Sequence, residues 1–351
     1  QMKHVAIGNV GDDSIDYDEG WRGQMQYVFV FQGLPGNGAD RSDKGGEHDG
    51  GNSPDDSQPF AIPTIYNATM IGHGAEKDWS SKSVNTATKF RDNAGGRYYN
   101  SFFADFGGAF ATLEGSPSTP ETSGWRSEQP YSDLFDGEFY QGPNSGFQQE
   151  LADNTYYCFG GFDPDGDGQP ELPIDNASTY GADSNDAYDP GYFDPAEGYG
   201  NTYIDCATAA PIRTLQRSNV TGNPIDPDQL VSVDPRPTNA SDLIGTDRLP
   251  GDPGNNVGNF FDNYAFKGAF RTGDNWAAGW STMSRLGYFP TCAEDPNAIP
   301  SEPRNLVFTS NTNLVWDEPL DSNYDYFDVF RSNDPADFTA PASCPEQLGR
   351  D

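Results

Sequence analysis

Met25-Gln26-Tyr27-Val28-Phe29-Val30-Phe31 is a strand-sized run of aromatic and β-branched residues, and three other stretches can be laid over it. They are Met2-Lys3-His4-Val5-Ala6-Ile7-Gly8, Ile65-Tyr66-Asn67-Ala68-Thr69-Met70-Ile71 and Arg97-Tyr98-Tyr99-Asn100-Ser101-Phe102-Phe103. Each is followed by Gly, Asn and Asp, so the chain repeatedly lays down one strand and then turns. The first two runs begin 23 residues apart, which sets the length of one coil, and later intervals are enlarged by loops. This pattern predicts an all-β fold, a β-solenoid whose coils occupy residues 1–115. The Gly- and Asp-rich stretch between Gln32 and Ala61 is expected to leave the coil as an exposed loop and return at Pro63-Thr64-Ile65.

Working outward, residues 116–254 change character: Pro, Gly, Asn and Asp dominate and no period of 2 or 3.6 persists. A stretch this long predicts several short elements held against the solenoid by aromatics and disulfides. Residues 255–298 carry the best helix signal. Asp274 or Asn275 is the candidate N-cap, Trp276, Trp280, Met283 and Leu286 form an apolar stripe, and Gly287 supplies a stop. That helix is expected to cover an open solenoid edge or end. Residues 299–351 read as three short strands at Pro303–Phe308, Thr312–Pro319 and Tyr326–Arg331. They resemble the opening of a fibronectin type III domain, with too few residues for seven strands.

Acidic residues outnumber basic ones 54 to 20, for a formal charge of -34. Such a field repels nucleic acid and anionic membrane surfaces, so neither is an expected partner. It favours solubility and attracts Ca²⁺, which takes oxygen ligands. With no apolar run of about 18 residues, no segment is expected to span a bilayer as a helix. The opening of the chain at Gln1, already in a strand pattern, suggests a processed or truncated N terminus with further coils upstream. Cys158, Cys206, Cys292 and Cys344 show no CxxC spacing, which argues against zinc and for disulfides in an oxidising compartment. Four cysteines allow three pairings; Cys158 with Cys206 and Cys292 with Cys344 is the favoured set.

The most specific site signal is Asp163-Pro164-Asp165-Gly166-Asp167-Gly168-Gln169-Pro170-Glu171. Asp163, Asp165 and Asp167 alternate around a tight loop and Gln169 offers its carbonyl, as in the first half of an EF-hand loop. Ile174 then stands where a bidentate Glu is required. The loop instead resembles the calcium loops of dockerin-like and thrombospondin-like repeats, with Glu171 or Asp175 completing the shell.

A second acidic turn holds Asp12, Asp13, Asp16, Asp18 and Glu19. It reads either as a calcium site or carboxylate pair working on a sugar, or as Asp side chains capping backbone amides at a coil corner. Arg22, Arg41, Lys44 and Arg91 are available as basic partners. His4, His48 and His73 share no ligand spacing, and no Ser-His-Asp or Cys-His signature is present. Asn67, Asn176, Asn219 and Asn239 each begin an N-x-S/T sequon.

The strings GDDSIDYDEGWRG, PTIYNATMIG, FRDNAGGRYYNSFF and DNWAAGWSTMSRLGYF, in this order, resemble secreted bacterial proteins and lipoproteins with right-handed parallel β-helix domains. The resemblance implies an extracellular or cell-surface location and carries no assigned catalytic residue. The expected role is a calcium-stabilised structural, adhesive or carbohydrate-contacting protein, whose partners are carbohydrate, other surface proteins or copies of itself. The alternatives are a β-helical polysaccharide lyase or glycoside hydrolase, and a subunit of an extracellular filament.

Overall fold

The computed structural model describes residues 1–32, 44–50, 61–75, 86–91, 94–107, 111–113, 149–159, 174–175, 199–217, 230–246, 248–250, 260–289, 304–308 and 314–317. Thirteen of its strands form two parallel sheets. Sheet A holds β1 (Met2–Gly8), β3 (Gln24–Phe31), β5 (Thr64–Ile71), β7 (Gly96–Tyr99), β8 (Phe102–Ala104), β10 (Gln149–Ala152), β11 (Thr155–Tyr157) and β13 (Thr202–Ile204). Sheet B holds β2 (Ile15–Tyr17), β4 (Gly46–Asp49), β6 (Thr88–Arg91), β9 (Ala111–Leu113) and β12 (Ile174–Asp175). The chain passes from one sheet to the other at every coil and adds its next strand beside the previous one. The expected β-helical winding is therefore present, and β10, β11, β12 and β13 carry it past residue 115.

Met2, Met25, Ile65, Tyr98 and Leu151 share one register column. One overlay made from the sequence slips here: Arg97 pairs with Thr64, and it is Tyr98 that lies beside Ile65. A slip of one residue exchanges inward and outward positions, and burying the Tyr98 ring rather than a guanidinium decides it.

Each of the first five coils bends along sheet A at a non-glycine residue in the left-handed region, and the sixth does so at Gly200 (φ 68°). The five are His4, Tyr27, Asn67, Asn100 and Asp153, with φ of 54°, 57°, 54°, 51° and 54°. Asn and Asp tolerate this conformation best, which explains three of the five. Just beyond the bend a polar ladder runs between coils. The Ala68 amide donates to Ser101 Oγ (3.0 Å), the Ser101 amide to Asn154 Oδ1 (2.9 Å) and the Asn154 amide to Asn201 Oδ1 (2.9 Å). Asn154 Nδ2 donates back to the Tyr98 carbonyl and Asn201 Nδ2 to that of Leu151, so the buried amides are satisfied within the stack.

Strand β3 shows how the coils divide the apolar residues. Met25, Val28 and Val30 join one buried cluster, while Tyr27, Phe29 and Phe31 join another on the opposite side of sheet A. The second cluster is completed by Val233, Leu243, Phe266, Phe270, Trp276, Met283 and Phe289. Phe270 meets Phe29 edge-on at 5.0 Å, and Tyr288 meets Phe31 at 4.7 Å. Hydrogen bonds fix the cover: Asn67 Nδ2 donates to the Phe266 carbonyl (2.7 Å) and the Ala269 amide to Thr69 Oγ1 (2.8 Å). Gly268 (φ +81°) passes so close that a Cβ would sit 2.8 Å from Thr69 Oγ1.

The predicted helix is corrected on three points. Only α1 (Thr282–Arg285) is helical, its N-cap is Ser281 rather than Asp274 or Asn275, and the segment covers the outer face of sheet A rather than an edge or end. Gly279, at φ +80°, interrupts the stripe, so Trp276 and Met283 are buried while Trp280 and Leu286 are exposed. Gly287 (φ +79°) ends the helix as anticipated.

Strands β14 (Ile212–Arg217) and β15 (Leu230–Pro237) form an antiparallel pair that places Ile212, Leu230 and Val233 in the same outer cluster. Strands β16 (Arg304–Phe308) and β17 (Leu314–Asp317) pair antiparallel within two of the three stretches expected to be strands. The third, Tyr326–Arg331, lies outside the described residues.

Candidate functional site

Sheet B gathers the charged side chains that the sequence scatters. Ile15, Tyr17, His48 and Phe90 are buried in the core, so the residues alternating with them take the opposite face of the sheet, where Asp16 is exposed, Glu47 half-buried and Lys89 buried. Register puts Asp16 beside Glu47, Glu47 beside Lys89, Lys89 beside Thr112 and Thr112 beside Asp175. A second row begins with Asp49 beside Arg91. Neighbouring strands lie about 4.8 Å apart, so Asp16, Glu47 and Lys89 form a short charged track across three coils.

Behind the track the packing is rigid. Tyr17 stacks on His48 with ring centroids 4.1 Å apart, Phe90 meets His48 edge-on at 4.7 Å, and Tyr17 Oη donates to the Gly95 carbonyl. Tyr98 Oη and His48 Nε2 share a hydrogen bond of 2.9 Å. Burial pushes the His48 imidazole down to about 3, with the Lys44 ammonium adding to the effect, so it is a neutral core residue at ordinary pH.

On that face the ion pairs are themselves largely buried: Lys44 Nζ lies 3.5 Å from Asp13 and 3.6 Å from Glu47, and Lys89 Nζ lies 3.4 Å from Glu47. Glu47 thus sits between two ammonium groups. Asp16 is different: it is exposed and makes no hydrogen bond or ion pair with a described residue. Partial burial, followed by the charges of Asp49, Glu47, Asp18 and Asp12, raises its carboxyl above the usual range.

The expected acidic turn is therefore divided in use. Asp13 accepts from the Lys44 amide at 2.9 Å as well as pairing with its ammonium, and Asp18 accepts from the Glu19 amide. Asp12 is exposed and acts on Asp16 through its charge. Among the described residues no group of three or more His, Cys, Asp or Glu side chains is placed to hold a metal ion, so no step below is routed through one. Asp163, Asp165, Asp167, Gln169 and Glu171 lie outside the described residues; Asp175 is placed only by its strand, in the Asp16 column.

Glu47, Asp49 and Lys89 were not singled out from the sequence. Their signal was the alternation Gly46-Glu47-His48-Asp49 and Thr88-Lys89-Phe90-Arg91, too short to be read without the register. The other histidines are separate: His73 is buried, and His4 lies against Tyr27 and Trp276. Of the sequons, Asn67 is buried with its amide donated to Phe266, while Asn239 is exposed. Cys158 and Cys206 form a disulfide between consecutive coils, as the favoured pairing has it; Cys292 and Cys344 lie outside the described residues.

A family described as a pectate-lyase like beta helix domain matches residues 1–124, a span that includes β1 to β9 and the track from Asp16 to Lys89. The match and the parallel coils define a β-helix protein. No curated protein and no solved structure matches the chain. No helix among the described residues is long and apolar enough to cross a membrane.

Proposed function

We propose that this is an extracellular right-handed β-helix protein that contacts carbohydrate along the outward face of sheet B. The observation that carries the reading is the registered track Asp16, Glu47 and Lys89, in which an unpaired carboxylate stands beside an ion-paired one on a rigid wall. A polysaccharide repeats along its length, and a strand ladder offers matching donors and acceptors at regular spacing. The extracellular setting is supported by the Cys158–Cys206 disulfide and the acidic composition. The test is retention of the full chain in native gels cast with a neutral β-glucan or with polygalacturonate. Retention lowered about 10-fold by Asp16→Asn supports the reading, and equal mobility in plain and glycan gels refutes it.

A second reading, glycoside hydrolysis, is favoured by the raised Asp16 carboxyl. Asp49 stands one strand over and two residues along, a diagonal of about 8 Å, which suits an inverting carboxylate pair. In that reading Asp16 gives its proton to the glycosidic oxygen, the bond from that oxygen to the anomeric carbon breaks, and water attacks the carbon while Asp49 takes its proton. New reducing ends without an ultraviolet-absorbing unsaturated product would mark hydrolysis; the unsaturated product would mark elimination instead.

Calcium binding at Asp163, Asp165, Asp167, Gln169, Glu171 and Asp175 belongs to the same proposal and rests on the loop sequence. Chelation should lower the melting temperature by several degrees, and an unchanged melt would remove the ion from the account. The fibronectin-like character of 299–351 and any filament assembly rest on sequence pattern in the same way.

A further inference from the structure

We propose that Asn239 is an N-glycosylation site, its side-chain amide taking an oligosaccharide from a lipid-linked donor as the chain is exported. The inference rests on the extracellular reading of the protein and not on the sheet B track. Such a site needs an Asn amide that a transferase can reach and a hydroxyl two residues on, with any residue but Pro between them. Asn239-Ala240-Ser241 meets the rule in sequence, as does Asn67-Ala68-Thr69, and the fold separates the two.

Asn67 is only 1% exposed. Its Nδ2 donates to the Phe266 carbonyl, its Oδ1 accepts from Gln26 Nε2 (3.0 Å), and Thr69 Oγ1 accepts from the Ala269 amide. Both ends of that motif hold the cover on sheet A, and a glycan on Asn67 would have to displace the cover.

Asn239 is the opposite case. The Ser241 amide donates to the Thr238 carbonyl (3.1 Å), which closes a β-turn with Asn239 and Ala240 at its corner, both exposed. The turn is anchored on either side. The Thr238 amide donates to the Pro211 carbonyl (2.9 Å), the Lys267 amide donates to the Leu243 carbonyl (2.9 Å), and Leu243 is buried in the outer cluster. The Asn239 side chain makes no hydrogen bond with a described residue. Ser241 Oγ accepts from the Leu243 amide (3.2 Å) and so keeps its own proton to donate. The folded chain therefore presents a reachable amide on a fixed corner, with its hydroxyl partner still able to donate.

The transfer forms a bond from Asn239 Nδ2 to the anomeric carbon of an oligosaccharide carried on a lipid phosphate or diphosphate. The bond from that carbon to the phosphate oxygen breaks, the lipid phosphate leaves with the electron pair, and one amide proton passes to the transferase's base. Because Leu243 belongs to the outer cluster, the glycan stands on the covered side of sheet A and leaves the sheet B track open.

The test exports the full chain from a cell whose secretory pathway carries an N-oligosaccharyltransferase, then digests the folded product with peptide N-glycosidase in heavy-oxygen water and maps its peptides. Each glycosylated Asn is converted to heavy-labelled aspartate. Label is expected at Asn239 and not at Asn67. Asn239→Gln should abolish the Asn239 label with an unchanged melting temperature; Ser241→Ala should abolish it as well, and Ser241→Thr should keep it. Label at Asn67 in the folded chain, or none at Asn239 while the Cys158–Cys206 disulfide has formed, overturns the inference alone. Absence of both the Asn239 glycan and the disulfide overturns it together with the extracellular reading. The label should be unchanged in Asp16→Asn, whatever that variant does to polysaccharide retention, so the two proposals fail separately.

Discussion

His48 and Asp16 are neighbours across one sheet, yet burial moves their protons in opposite directions. His48 is neutral in the folded chain down to about pH 3, whereas the unfolded chain takes up its proton near 6.5. Above 6.5 both states are neutral and the group has no effect; as pH falls below 6.5 the unfolded state gains a proton the fold refuses, and stability drops. The loss through this one residue should reach about 3–5 kcal/mol toward pH 3. In urea titrations between pH 7 and 4, wild type should lose stability relative to His48→Phe as pH falls, because the variant lacks this slope; parallel curves would count against a buried neutral imidazole. Asp16 behaves the other way. Its raised carboxyl is destabilising when ionised, so stability is recovered as pH falls through its folded value and is fully present below the unfolded value of 3.8. Asp16→Asn should therefore raise the melting temperature slightly at pH 7 while weakening carbohydrate retention. A variant that is both less stable and fully retained would show Asp16 to be a structural cap. The sequence showed Asp16 as one of five acidic residues in a turn, and nothing in the spacing separated it from Asp13. What separates them is Lys44, which the fold brings to Asp13 from the next coil.

At the scale of elements, the coil repeat was legible because β3 and β5 are eight residues long and rich in aromatic and aliphatic side chains. Their side chains divide between two apolar clusters, and two such surfaces leave a clear mark on composition. The short strands of sheet B left no comparable mark. β2 has three residues and β4 four, so their alternation becomes meaningful only when register aligns Asp16, Glu47 and Lys89. The one-residue slip at Tyr98 has the same origin: the sequence fixes a period poorly where Tyr98-Tyr99 offers two similar candidates. The cover segment misled for a different reason. Its aromatic spacing is helical, but Gly279 takes a left-handed conformation and the apolar residues face sheet A from turns. The Ser101, Asn154 and Asn201 ladder was not anticipated, since three polar residues so far apart in sequence carry no local signal. Asn154→Ala removes the acceptor for the Ser101 amide and the donor to the Tyr98 carbonyl, leaving both buried. Such orphaned groups should cost about 2–4 kcal/mol in urea unfolding, against less than about 1 kcal/mol if the ladder were incidental.

For the whole molecule, stability depends on keeping successive coils stacked. The Cys158–Cys206 disulfide closes a separation of 48 residues between adjacent coils. Replacing both cysteines with alanine should lower unfolding free energy by about 3–4 kcal/mol, as chain entropy returns to the unfolded state; an unchanged urea midpoint would mean the bond constrains nothing. The outer cover, joined through Asn67, Thr69 and Gln26 to consecutive strands, occupies one face of sheet A. Sheet B keeps its charges on the other side of the winding, with rigid aromatic packing behind them. This division assigns one wall to structural cover and the other to recognition, the central claim of the account. Its most direct measurement is hydrogen–deuterium exchange of the full chain with and without saturating polysaccharide, resolved to β2, β4 and β6. The account predicts added protection at Asp16–Tyr17, Glu47–Asp49 and Lys89–Arg91, absent in Asp16→Asn. Protection confined to other segments, or the same in wild type and Asp16→Asn, would contradict it.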